Sequence, residues 1–224
     1  MKNIVTISLP SIVFVCMILF ACNTVNKKKN EQTLQDFKEM TLELKDSLGT
    51  ITMYIPNRYD TFAQWTHKTD CVPCGKEKYR YQPKFLKLYL ENGFIDTNEP
   101  KDSIENLTIV HSVSINKSKL LEKDLIYKMH KSEKEQYLNG MYRANMVKED
   151  TVLKINDRYF SLFVFEHFDS TRMLYNKKVS AETLINNNSV KFINELVTRN
   201  NNSINNYFIK NSKLMFNSIK ISNK

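Results

Sequence analysis

Hydrophobic and polar positions divide the chain into three stretches. Residues 4–20 are almost continuously apolar, residues 23–40 are polar and charged, and from Thr41 onward apolar residues recur at strand or helix spacing. Thr41–Lys45 alternates, Asp46-Ser47-Leu48-Gly49 has turn chemistry, and Thr50–Ile55 is β-branched and alternating, which predicts a hairpin ending at Pro56-Asn57. A short helix is expected near Leu34 to Met40, before that hairpin. Residues 58–84 read as an irregular segment rich in aromatic side chains, and Phe85–Leu90 suits helix and strand equally. Asn106–Ile115 is an expected strand, and Ser118–His130 an expected helix with Leu121 and Leu125 facing inward. Ser132-x-x-Glu135 is a capping-box pattern, which predicts a second helix to about Met146 with Gly140 inside it.

Two hairpins are then expected. The first joins Thr151–Ile155 to Tyr159–Phe168 through Asn156-Asp157. Phe160, Phe163, Phe165 and Phe168 make its second strand apolar enough to be covered on both faces. The second joins Arg172–Ile185 to Val190–Thr198 through Asn186-Asn187-Asn188, although Val190–Thr198 suits a helix as well. Ser203–Phe216 is helical, with Ile204, Phe208 and Met215 on one face, and Ser218–Ser222 forms a short last strand. There is no internal repeat and no Gly- or Pro-rich divider. The expected class is α+β, one domain over residues 41–224, with an antiparallel β-sheet and helices packed on one side.

Composition narrows the function. A chain of 224 residues with a mean hydropathy of −0.45 is not a multi-span membrane protein. Only four glycines are present, and neither G-x-G-x-x-G nor G-x-x-x-x-G-K-[ST] occurs, so the familiar nucleotide loops are missing. The formal charge of +9 comes mainly from lysine; Arg58, Arg80, Arg143, Arg158, Arg172 and Arg199 are the only arginines. Arginine is the usual reader of phosphates and bases. A Lys- and Asn-rich, Arg-poor chain fits codon drift better than nucleic-acid binding, and no nucleic-acid partner is expected.

The apolar stretch ends in Leu19-Phe20-Ala21-Cys22 and turns polar at Asn23, with Lys27-Lys28-Lys29 close behind. Leu19-x-Ala21-Cys22 resembles the lipobox of bacterial lipoproteins. The resemblance implies a signal peptide over residues 1–21, acylation (palmitate-type chains) at Cys22 and a polar tether over residues 22–40. Phe20 departs from the small residue usual before the final alanine. The implied location is the bacterial cell envelope, lipid-anchored and facing the periplasm or the surface. The outer membrane is favoured over the inner, because Asn23 is not the aspartate of inner-membrane retention. Two or three acyl chains anchor far more firmly than one.

At the other end, Phe208-x-x-x-Ser212 followed by Ser218-Ile219-Lys220-Ile221 resembles the terminal helix and strand of PsbP-like envelope domains, and Met53-Tyr54-Ile55-Pro56 is similar to an early strand of that fold. The resemblance implies a fold. It carries over no functional residue, and residues 62–84 have no counterpart in it.

Cys71-Val72-Pro73-Cys74 is the one constellation with evident chemistry. Gly75 stands where a c-type haem needs histidine. A structural disulfide in an oxidising compartment is the leading expectation, worth at most about 2–3 kcal/mol for so small a ring. His67-x-x-x-Cys71-x-x-Cys74 also offers three ligands to zinc, with a fourth to come from afar. A thiol redox pair helped by Lys76, Lys78 and Arg80 is a further reading. Apart from zinc, no cofactor is expected. Trp65, Tyr79 and Tyr81 are an expected aromatic binding surface for a sugar or peptide. No catalytic residues are expected from spacing, since neither G-x-S-x-G nor H-E-x-x-H occurs. The expected role is a non-catalytic binding or assembly module with the bilayer and an envelope protein as partners. The alternatives are a zinc or redox protein built on Cys71 and Cys74, and a hydrolase whose site only the fold assembles.

Overall fold

The structure, a computed structural model, describes residues 36–68, 75–91, 100–112, 120–139 and 146–222. The chain divides into two units, Met1–Asp36 and Phe37–Lys224, and every described strand and helix lies in the second. In chain order these are β1 (Phe37–Leu44), β2 (Gly49–Pro56), β3 (Thr61–His67), β4 (Lys76–Gln82) and β5 (Ile104–Ser112). Then come α1 (Glu122–Asn139), β6 (Val147–Ile155), β7 (Arg158–Asp169), β8 (Leu174–Ile185), β9 (Asn188–Thr198), α2 (Ser203–Asn217) and β10 (Lys220–Ser222).

The strands form two sheets with antiparallel pairing throughout. A three-stranded sheet has the order β1-β2-β10, and a seven-stranded sheet the order β3-β4-β5-β9-β8-β7-β6. Local chemistry sets the turns. Asp46 and Ser47 take φ values of 58° and 56° between β1 and β2. Asn186 and Asn187, at 51° and 64°, make the two-residue turn that pairs Ile185 with Asn188. Asparagine tolerates this left-handed backbone better than other residues with a Cβ.

The core lies between the two sheets and α2. Phe160, Leu162 and Val164 of β7 and Phe192 of β9 meet Ile51, Met53 and Ile55 of β2 and Phe208, Met215 and Phe216 of α2. Each such side chain contributes about 1.5–3 kcal/mol when fully buried. Alternation along β7 turns Ser161, Phe163 and Phe165 to the opposite face, where His130 of α1 stacks on Phe163 and Tyr137 meets Phe163 and Phe165 edge-on. β7 is therefore covered on both faces, as its run of apolar residues predicts.

A buried polar chain docks α2. The Tyr59 hydroxyl donates to Asn194 Oδ1 at 3.1 Å, Asn194 Nδ2 donates to Ser212 Oγ at 2.7 Å, and Ser212 Oγ donates to the Phe208 carbonyl at 2.7 Å. At the helix end Ser218 Oγ donates to the Met215 carbonyl and accepts the Tyr54 amide at 2.9 Å. Ser212 and Ser218, which carried the C-terminal resemblance, thus tie α2 to both sheets.

The α+β class and the antiparallel pairing stand, and several finer expectations change. The helices take opposite faces of the large sheet, not one side, because β7 offers an apolar face in each direction. Phe37–Met40 is strand, not helix: Met40 is buried on the face that carries Leu42 and Leu44. Residues 61–67 and 76–82, read as irregular, pair as a hairpin. The helices expected on either side of Ser132 are one helix, because nothing between Lys131 and Glu135 breaks it and Ser132 is an exposed position on its surface. The inward stripe of α1 also differs. Ile126 is fully buried, whereas Leu121 is 73% exposed. Val190–Thr198, which suited either conformation, is strand β9 of the expected hairpin.

Candidate functional site

The face of the large sheet turned away from the core is covered by α1 over β6–β8 and by residues 89–91 beside β3 and β4. Between these covers runs a groove of about 520 Å³ floored by β4, β5 and β9. Register puts its side chains in four rows. His67, Lys76, Ser112 and Ser189 form the first row, next to the β3–β4 turn. Lys78, Val110, Lys191 and Glu182 form the second, and Arg80, Thr108 and Ile193 the third. Glu195 closes the far end, paired in register with Lys178 of β8.

The walls are fixed by ion pairs. Arg80 is 2% exposed. Its Nε donates to Thr108 Oγ1 at 3.0 Å, and its two terminal nitrogens donate to the Tyr89 carbonyl and to Glu91 Oε1, each at 2.6 Å. The guanidinium carbon lies 4.2 Å from the Tyr89 ring centre and 5.0 Å from that of Trp65. Lys78 Nζ meets the other Glu91 oxygen at 2.7 Å. Burial raises the Glu91 carboxyl, but the charge of Arg80 and the bonds from Lys78 and Arg80 outweigh it and hold the group below the usual range. The Glu91 carbonyl accepts from Trp65 Nε1 at 3.0 Å and from His67 Nδ1 at 3.1 Å. On the other wall Lys191 pairs with Glu133 of α1 and, at 3.4 Å, with Glu182. Burial lowers Lys191, yet the two carboxylates override it and raise the amine above its ordinary value. The outcome is a polar groove whose walls are held by ion pairs.

Trp65 belongs to this groove only as support. It is 8% exposed, beneath Arg80. Tyr79 and Tyr81 do not join it. They point to the opposite face of β4, where Tyr79 is fully buried and its hydroxyl accepts the Lys45 amide at 3.0 Å. The expected aromatic surface is corrected by strand alternation: residues 78 and 80 share Trp65's face, residues 79 and 81 do not. Cys22, Cys71 and Cys74 lie outside the described residues. His67 is placed at the last position of β3, in register with Lys76. Among the described residues no group of three His, Cys, Asp or Glu side chains is placed to hold a metal, and no helix is long and apolar enough to cross a membrane.

The fold brings together a serine, a histidine and an aspartate. Ser161 Oγ and His130 Nδ1 share a hydrogen bond at 2.9 Å, and His130 Nε2 lies 3.6 Å from Asp150 Oδ1. Burial lowers the His130 imidazole, and Asp150 only partly offsets it. Ser161 is 1% exposed, under a histidine stacked on Phe163 at 4.7 Å. A nucleophile has to reach its substrate, and this hydroxyl is shut between helix and sheet. A second buried histidine, His111 of β5, stands 3.4 Å from Asp46 with neither ring nitrogen hydrogen-bonded. Sequence reasoning named Arg80 only as a helper of a thiol pair, and missed Glu91 and Lys191. The signal for Arg80 was local: Lys78-x-Arg80 alternates with Tyr79-x-Tyr81, as a strand with one basic and one apolar face does.

The domain is thus an antiparallel α+β body with a polar groove on its outer face. No family profile and no curated protein matches the chain. Among solved structures it is similar to the solution structure of cyanobacterial PsbP (CyanoP) from Synechocystis sp. PCC 6803, at 9% identity and a TM-score of 0.43, covering 82% of this chain and 92% of that one. It is also similar to a crystal structure from Bacteroides thetaiotaomicron VPI-5482, at 11% identity and a TM-score of 0.34, covering 78% of this chain and 46% of that one.

Proposed function

We propose that the protein is a lipid-anchored bacterial envelope lipoprotein whose domain is a non-catalytic binding or assembly module, with the groove as its binding surface. The groove carries this reading. Its floor and walls are held by the Arg80–Glu91–Lys78 and Lys191–Glu182 pairs, so ordering costs on binding are already met in the free protein. The anchor is Cys22, acylated at the outer membrane in preference to the inner, with the polar stretch expected over residues 22–40 as tether as far as Phe37, where β1 begins. The protein's partners are then the bilayer and an envelope protein.

The test combines two measurements on the full chain in cells. Cys22→Ser moves the protein from the membrane to the soluble fraction and removes acyl label; continued acylation and membrane association would sink the anchor. A photo-crosslinking residue at Lys76 or Val110 yields a discrete adduct, whereas one at Lys220 does not. Equal adducts at all three positions would reject the groove.

A zinc site at His67, Cys71 and Cys74 is a second reading, favoured by one observation. His67 Nδ1 donates to the Glu91 carbonyl, which leaves Nε2 as the nitrogen turned to a ligand. Stoichiometric zinc in purified protein, lost in His67→Ala, supports it. Thiols that resist alkylation until reductant is added, with no metal, favour the disulfide.

A further inference from the structure

The ligand class of the groove follows from its rows, and this step rests on the binding role proposed above. From Ser189 to Glu195 the floor runs along β9 for about 20 Å at the rise of an extended strand. Its width from β4 to β9 is two strand spacings, about 10 Å. These are the dimensions of one extended segment of about six residues with its side chains. The floor is mixed, with the Ser112 hydroxyl beside the half-buried apolar surfaces of Val110 and Ile193, while Thr108 Oγ1 is taken up by Arg80 and Asn106 and Ser189 Oγ donates to Glu182. A sugar would want a bare aromatic platform, but Trp65 already lies beneath Arg80 and Lys78.

Charge sets the direction. In the two middle rows the cations are matched: Lys78 and Arg80 by Glu91, Lys191 by Glu133 and Glu182. The first row differs. Lys76 is exposed beside His67, and the row holds no acid among the described residues. Glu195 stands at the opposite end.

We infer that the groove takes an extended peptide segment of a partner protein, with apolar β-branched side chains over Val110 and Ile193 and an acidic residue against Lys76 at the β3–β4 end. Backbone groups of the segment meet the Ser112 hydroxyl, and a backbone N–H meets Ser189 Oγ, whose own proton goes to Glu182. The Lys76–acid contact selects the partner and its direction.

The test uses the full chain and fluorescein-labelled hexapeptides, acetylated and amidated, with a Val-Thr-Val centre and Asp, Asn or Lys at one end. Anisotropy is expected to show the Asp peptide binding about tenfold more tightly than the Lys peptide. Lys76→Glu, an exposed change that leaves the fold intact, is expected to reverse the order, and Lys220→Glu to leave it alone. An unchanged order in Lys76→Glu overturns the inference. So does the absence of peptide binding while crosslinks at Lys76 and Val110 persist, an outcome that leaves the binding role standing with a different ligand. Loss of the crosslinks as well removes the binding role itself.

Discussion

Arg80 and Glu91 meet at 2.6 Å across the edge of the groove, with the arginine side chain 3% exposed and the carboxylate 21% exposed. Glu91→Gln keeps the shape and removes the charge that Arg80 and Lys78 share. Leaving a buried guanidinium without its counter-charge is expected to cost about 3 kcal/mol, read as a lower urea midpoint at unchanged m-value. The pH dependence has a definite sign. The Glu91 pKa is lower in the folded state, so its contribution is complete above the unfolded carboxyl value of about 4.3 and is lost as pH falls through the folded one. The variant should lack that acid slope.

His111 predicts the opposite result for a buried group. Its ring nitrogens make no hydrogen bond, and burial lowers its pKa more than Asp46 and Glu77 raise it. A depressed histidine makes the fold less stable as pH drops from about 6.5 toward the folded value. His111→Phe leaves no partner orphaned, so it is expected to hold or gain about 1 kcal/mol at pH 7. It should also flatten the stability profile between neutrality and pH 5. A loss above 2 kcal/mol at pH 7 would count against this account.

The Asn186-Asn187 turn can be tuned in either direction. Glycine accepts the left-handed backbone more readily than asparagine, so Asn187→Gly should raise the melting temperature slightly or leave it unchanged. Asn186→Val puts a branched Cβ into the same region and should cost about 1–2 kcal/mol. Thermal melts of the two variants decide the point.

The two helices should differ in local stability. α2 buries six side chains, whereas α1 buries one, Ile126, and holds the sheet otherwise through rings and ion pairs. Amide exchange is expected to be faster throughout α1 than in the middle of α2. Equal protection in both would mean that α1 opens only with the whole domain.

What was legible in the sequence follows from which residues pack against apolar neighbours. The β6–β7 and β8–β9 hairpins and α2 were readable because Phe160, Leu162, Val164, Phe192 and Phe208 repeat at the period of their element. The β3–β4 hairpin was not. Lys76 to Gln82 has a charged outer face, whose Lys78 and Arg80 are neutralised by Glu91 from outside the hairpin. The register of α1 was misread for a related reason: it meets the sheet through His130, Glu133 and Tyr137, residues that hydropathy counts as outward. The groove was illegible because its rows are assembled from strands distant in the chain.

The small sheet has a consequence for how the molecule is made. Its third strand, β10, supplies the partner for β2, and Ser222 Oγ reaches the Thr50 carbonyl from 172 positions away. No part of that pairing can form until residues 220–222 have been synthesised, so the hairpin β1–β2 must wait with one edge bare. Closure over so long a loop is slow, and an open strand edge invites pairing with other chains in the interval. Deleting β10 should therefore show itself first as poor recovery of folded protein, before any property of the groove is affected.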